Sequence, residues 1–143
     1  MTIDQLSVFV ENKAGKLAEI TAVLADEGID IRAMSIADTK DFGILRLIVN
    51  DADKAVSALK REQYIVSVTK VIAVAISDTP GSLAAVLRIL SDNAISIEYM
   101  YAFITRRRED AYVVFRVEEN ERAVKILGEN GISVVTPEEI VTL

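Results

Sequence analysis

Two stretches carry the residue types best suited to chemistry in this chain of 143 residues: Asn12-Lys13-Ala14-Gly15-Lys16-Leu17 and Asp78-Thr79-Pro80-Gly81-Ser82-Leu83. Each follows an alternating apolar run and opens an amphipathic one, so each reads as a strand-to-helix turn. The first turn of a helix presents unpaired N–H groups and the positive end of the helix dipole, which suit a carboxylate. Gly15 and Gly81 let a ligand approach the backbone, and Asn12 or Asp78 offers side-chain oxygen to an α-amino group. Together these features match the two poles of a free amino acid. The same residues also read as helix caps beside an ordinary turn, an arrangement worth about 1 kcal/mol. Taken alone, the pattern leaves both readings open.

Other chemistries are disfavoured by residue type. The chain has no Cys and no His, which removes thiolate chemistry, the usual metal ligand and the usual general base. Ser35 and Ser82 have no histidine to activate them. Asp38 and Asp41 could in principle do acid–base work, but they fall among hairpin-turn residues where acids are common. The net charge of −6 lacks the clustered bases that nucleic-acid binding needs. Apolar residues make up 51% of the chain, enough for a packed core. The longest apolar stretch, Val71–Ile76, is too short to span a bilayer. Met1-Thr2-Ile3-Asp4 has no basic flank and no long apolar run, so no signal peptide is expected and the expected location is cytoplasmic. Neither metal nor cofactor, nor any nucleic-acid or membrane partner, is expected.

The elements that must position the two turns follow from periodicity. Leu6, Val8 and Val10 alternate with polar neighbours as a strand, and Leu17, Ile20, Val23 and Leu24 fall at helical spacing up to a stop at Gly28. Ile29, Ile31, Ala33 and Ser35 alternate with Asp30, Arg32, Met34 and Ile36. A hairpin at Asp38–Gly43 leads to a third strand, Ile44–Val49, with Leu45, Leu47 and Val49 on its apolar face. A second helix carries Ala52, Val56 and Leu59 inward, and Tyr64–Lys70 alternates again. The order is β-α-β-β-α-β.

That order then repeats. Gly15/Gly81, Leu24/Leu90, Ile31/Ile97 and Met34/Met100 are each 66 residues apart, and Val49/Val117, Ala55/Ala123 and Leu59/Leu127 are 68 apart. A fixed period with one short insertion, around Arg106-Arg107-Arg108-Glu109-Asp110, marks a duplicated unit. No Gly or Pro separates the copies between Tyr64 and Ser77. A strand of that length exceeds one small sheet, so one half should serve each unit with a bend near Lys70–Val71. The expected fold is α+β: two ferredoxin-like βαββαβ units in tandem, 1–70 and 71–143, with antiparallel sheets and helices on one face. Thr136-Pro137-Glu138-Glu139 opens a short final helix.

The face away from the helices is expected to carry Asp30, Arg32, Met34, Ile36 and Arg46 in the first copy. In the second it should carry Ser96, Glu98, Met100, Ala102, Ile104, Tyr112, Val114 and Arg116. Such a half-apolar surface fits either a homodimer contact or a plain amphipathic exterior.

The chain resembles the ACT-domain family, small regulatory modules of amino-acid metabolism. The marks are Val8-Phe9-Val10-Glu11-Asn12-Lys13-Ala14-Gly15-Lys16-Leu17 with Gly28-Ile29-Asp30-Ile31, and Asp78–Leu83 with Ala94-Ile95-Ser96-Ile97. The resemblance covers about Leu6–Val135 and implies a small amino acid held at an interface of paired units, near the first loop and second strand. Carried over by position, it implies a ligand-binding role for Asn12, Lys13, Ala14, Gly15, Lys16 and Leu17. From the second strand it adds Met34, Ser35, Ile36, Ala37 and Asp38. The second copy contributes Asp78, Thr79, Pro80, Gly81, Ser82, Leu83, Met100, Tyr101, Ala102 and Phe103. Departures at Asp30, Ser96, Ile36 and Ala102 point away from the familiar effectors. Tyr99, Tyr101 and Phe103 read either as a wall for a flat ligand or, from their alternation with Ile95 and Ile97, as helix-facing core. Arg106–Arg108 reads as a solvated hairpin tip.

The functional expectation is a non-catalytic sensor that binds a free amino acid, forms a homodimer and modulates a metabolic enzyme. One alternative is a ligand-independent regulatory subunit acting through the open sheet face; a remote one is an acylphosphatase-like enzyme, for which the first loop lacks an arginine cradle.

Overall fold

The computed structural model describes residues 1–38, 41–105 and 109–143, with only the backbone at residue 38. The turn residues Thr39 and Lys40 and the run Arg106–Arg108 lie outside the described residues. The chain divides into two compact units, Asp4–Thr69 and Lys70–Leu143 together with Met1–Ile3.

The N-terminal unit contains β1 (Ile3–Glu11) from Asp4 onward, α1 (Lys16–Asp26), β2 (Ile31–Asp38), β3 (Phe42–Val49) and α2 (Ala52–Arg61), followed by the start of β4 (Ile65–Ser77). In it β3 pairs antiparallel with β1 on one side and β2 on the other. The C-terminal unit takes up β4 from Lys70 and continues with α3 (Ser82–Asp92), β5 (Ile97–Ala102), β6 (Asp110–Val117), α4 (Asn120–Glu129), β7 (Ser133–Val134) and α5 (Pro137–Thr142). Here β6 lies between β4 and β5, and β4 also pairs with the two-residue β7. Each unit is a ferredoxin-like βαββαβ module, and the anticipated bend near Lys70–Val71 does not interrupt β4.

Each core lies between the helices and one face of the sheet. In the first, Leu6, Val8, Val10, Leu45, Leu47 and Val49 pack with Ile20 and Leu24 of α1 and Ala55 and Leu59 of α2. The second repeats it with Ile72, Val74, Ile76, Val113, Phe115 and Val117 against Val86, Leu90, Ala123 and Leu127. Leu17, expected inward at the start of α1, is 41% exposed.

The helices end alike. The residue after the last turn holds a left-handed φ at Gly28, Gln63, Ala94 and Gly131, and the following amide returns to a carbonyl five residues back, as Ile29 does to Leu24 and Ile95 to Leu90. At α5, Thr136 and Glu139 exchange side-chain-to-backbone bonds in a capping box, with Pro137 opening the helix.

Strand facing departs from the alternation read in the sequence. Along β2 the register shifts between Ile31 and Ala33, so that Ile31 opposes Val49 while Ala33 opposes Ile48. Arg32 is the extra residue of a β-bulge, and beyond it the parity inverts. Met34 and Ile36 oppose Leu47 and Leu45 and face the helix side, whereas Ser35 and Ala37 oppose Arg46 and Ile44 on the other face. The same bulge recurs between Ile97 and Tyr99, with Glu98 the extra residue. Met100 and Ala102 therefore face the helix side. Tyr99 and Tyr101 share the opposite face with Arg116 and Val114, and the Phe103 amide bonds the carbonyl of Tyr112. The expected outward placing of Met34, Ile36, Met100 and Ala102, and the inward placing of the aromatics, are both reversed by one inserted residue. The bulge residues are charged and each holds an ion pair, Arg32 with Asp30 at 3.3 Å and Glu98 with Arg116 at 3.4 Å.

Candidate functional site

The two strand-to-helix loops have the same backbone architecture. Asn12 N–H donates to the Asp41 carbonyl at 2.9 Å, and Asp78 N–H donates to the Glu109 carbonyl at 3.0 Å. The first residues of these pairs are 66 apart in sequence and the second are 68 apart, the change of offset that duplication with a hairpin insertion requires. Lys13 N–H bonds the Glu11 carbonyl and Lys16 N–H that of Lys13; Thr79 and Ser82 repeat both bonds with Ser77 and Thr79.

Neither Asn12 nor Asp78 caps a helix. The residue before each helix is the glycine itself, Gly15 at φ 86° and Gly81 at φ 91°, and neither helix start has a side-chain cap. Left-handed φ excludes most side chains there. The cap reading of the loop is thereby removed. The amides of Leu17 and Ala18, and of Leu83 and Ala84, bond no other group among the described residues. They are the open first-turn donors that an anion can use.

Around the first loop, Asn12, Lys13, Lys16 and Leu17 converge with Ile36 of β2 over a recess of about 70 Å³, completed by Val10, Glu11 and Gly43. The β2 bulge is what brings Ile36 to this side. Met34 faces the same way without lining the recess, while Ala14 and Gly15 sit in the exposed loop above it. Ser35 and Ala37 point to the other face, and of Asp38 only the backbone is described. Gly43 escaped the sequence reading, which took it for a turn residue. It lies within β3 opposite Val10, and a Cβ there would meet Ile36 Cδ1 at 3.4 Å. A glycine facing an apolar strand position was the available signal.

The polar dressing of the two loops differs. In the first, Lys13 pairs with Glu11 at 2.9 Å and Lys16 with Glu19 at 3.3 Å. Tyr64 donates its hydroxyl to Glu19 Oε2 at 2.9 Å. In the second, Thr79 Oγ1 links the hydroxyls of Ser77 at 3.0 Å and Ser82 at 2.8 Å, and Asp78, Pro80 and Gly81 are exposed. Leu83 packs at the edge of the core. Tyr101 stacks on Tyr99 with centroids 6.4 Å apart, and Phe103 meets Tyr112 edge-on at 6.2 Å.

Hydrogen bonding to Tyr64, then to Lys16, holds the Glu19 carboxyl below the usual carboxylate range, and burial together with Glu19 raises the Tyr64 phenol above its ordinary value. A lowered carboxyl stabilises the fold above its unfolded pKa and loses that contribution as pH falls. A raised phenol contributes below its unfolded pKa, about 10, and loses the contribution as pH rises past it. Alkaline spectrophotometric titration should therefore show a late-ionising tyrosine that is absent in Tyr64→Phe; superimposable curves would contradict the assignment.

The described residues thus form two tandem βαββαβ units, each with a glycine before its first helix and a loop tied to its own hairpin. The chain belongs to the ACT domain pair family, whose pattern matches residues 1–143. It is similar to protein BT0572 from Bacteroides thetaiotaomicron, at 41% identity and a TM-score of 0.93, over 100% of this chain and 98% of that one. It shares its fold with the ligand-free regulatory subunit of aspartate kinase from Thermus thermophilus, at 16% identity and TM-score 0.67, over 88% and 91% of the two chains. The corresponding subunit from Thermus flavus aligns at 17% identity and TM-score 0.61, over 88% and 90%. A comparison with curated proteins found no match. No described helix is long and apolar enough to cross a membrane.

Proposed function

We propose that this ACT domain pair is a non-catalytic sensor that binds a free amino acid at its strand-to-helix loops and modulates an enzyme of amino-acid metabolism. The observation that carries the reading is the open first-turn amide pair, Leu17 and Ala18, on the helix start whose Lys16 and Leu17 line the recess with Asn12 and Ile36. The amides suit the α-carboxylate, the Asn12 oxygen suits the α-ammonium, and Val10, Leu17, Ile36 and Gly43 offer an apolar wall to a short side chain. At about 70 Å³ the recess encloses only part of an amino acid. A second copy of the chain closing over it completes the site, which makes the working form a homodimer. Signalling then requires that the ligand bind the closed arrangement more tightly than the open one. The shared fold with regulatory subunits of aspartate kinase supports a role exerted on a partner enzyme.

A thermal-shift screen of the twenty amino acids tests this. At ~10 mM, a ligand with Kd ~0.1 mM adds about 2.7 kcal/mol, which is roughly 5–10 °C for a chain of this size. One or two amino acids should give that shift. It should vanish in Asn12→Ala or in Gly43→Leu, which fills the recess. A flat panel would refute the sensor reading.

A further inference from the structure

Beside α1 in the N-terminal unit lies an open groove of about 760 Å³, formed wholly within residues 4–69 and sharing Glu11 and Lys16 with the recess under the loop. Its volume is in the range of roughly 300–1,000 Å³ that accommodates drug-sized ligands. One wall is aromatic: Phe9 and Phe42 pack with ring centroids 5.1 Å apart and remain 45% and 43% exposed. Ile65, 72% exposed, extends the apolar surface. The charged part of the lining is mostly acidic, with Glu11, Glu19, Asp26 and Glu62 against Lys16, and Ala22, Val23, Gln63 and Tyr64 complete it. Glu11 and Glu19 are met by Lys13 and Lys16, and nearby Arg61 is engaged by Glu27. Asp26 and Glu62 form no ion pair among the described residues.

Duplication supplies an internal control. At the positions matching Phe9, Phe42, Glu19, Glu62 and Tyr64, the second unit has Ala75, Asp110, Ala85, Asn130 and Ile132. The aromatic wall and most of its acidic rim belong to one copy only, so the shared fold does not require them. Exposed rings and unneutralised carboxylates lining one groove fit a segment that carries both apolar side chains and arginine, whose N–H fork meets a carboxylate. The groove is open rather than enclosed along α1, a shape suited to an extended segment.

We infer that this groove docks a basic, apolar-bearing peptide segment of a partner protein, its arginines reaching Asp26 and Glu62 and its apolar side chains covering Phe9 and Phe42. The groove adjoins the amino-acid recess at Glu11 and Lys16, but Phe9, Asp26, Phe42 and Glu62 lie outside that recess, and the docking stands whether or not the recess binds a ligand.

Fluorescence anisotropy with a labelled hexapeptide alternating arginine with leucine or phenylalanine provides the test, run on the full chain at low and moderate salt. Binding is expected to weaken with salt, to fall about tenfold or more in Asp26→Asn/Glu62→Gln, and to fall again in Phe9→Ala. Circular dichroism would establish that the variants fold, and Glu118→Gln/Glu121→Gln controls for overall charge. Equal binding by wild type and the groove variants, equal loss in the control pair, or no binding at all would overturn the proposal. It would be overturned as well if sedimentation showed the wild type self-associating through this groove, with Phe9→Ala monomeric and the peptide unable to compete.

Discussion

Phe115→Ala should destabilise the C-terminal unit by about 3–5 kcal/mol, the range for truncating a fully buried aromatic ring. Phe115 is 0% exposed and sits mid-strand in β6, between Ile72 of β4 and Met100 of β5. Its ring packs in a cluster that includes Val86, Leu90, Ala123 and Leu127. The matching position in the other unit is Leu47, so the C-terminal core is built around the larger side chain. Losing it leaves a cavity that rigid strand neighbours cannot close. Urea denaturation should show an early transition in the variant, and a change below about 1 kcal/mol would mean that the core collapses around the gap.

The second large effect concerns the bulge in β2. Deleting Arg32 lets Ala33 follow Ile31 directly, which regularises pairing with Val49 and Ile48 and leaves every later residue on its present face. The deletion removes the Arg32 side chain, 18% exposed, with its ion pair to Asp30, which is itself 59% exposed and stays hydrated. Deleting Ala33 gives a strand of the same length with Arg32 opposite Ile48, in the place of an alanine that is 0% exposed. Moving that guanidinium from its partly exposed place beside Asp30 into a sealed position costs several kcal/mol. The two deletions should therefore differ by about 3 kcal/mol or more in denaturant-derived stability. Equal stabilities would show that the strand slips rather than holding its register.

The element order, the duplication and both cores were legible because they rest on side-chain period and on Gly, Leu and Ile at matched spacing. What could not be read was parity. A bulge is one residue of backbone irregularity, and Arg32 or Glu98 looks the same in sequence whether it continues the alternation or interrupts it. That single ambiguity put Met34, Ile36, Met100 and Ala102 on the wrong face and sent the tyrosines inward. At the site, the loop residues were found, and Ile36 was named for its position in the strand rather than for its direction. Gly43 was missed because glycine next to a hairpin reads as turn chemistry, although here it makes room for Ile36. The groove beside α1 escaped for another reason: Phe9, Phe42, Asp26 and Glu62 are scattered across four segments, and only folding assembles them.

The backbone bond from Asn12 to Asp41, and its counterpart from Asp78 to Glu109, also has a spectroscopic meaning. The amide protons of Asn12 and Asp78 each rest on one carbonyl, at Asp41 and Glu109 respectively. Exchange of each proton with solvent deuterium measures how often that loop lifts from its hairpin, apart from global unfolding. The duplicated fold thus carries two native reporters, one per copy. A ligand that clamps one loop would slow one of these protons, separating occupancy of the two copies without any label.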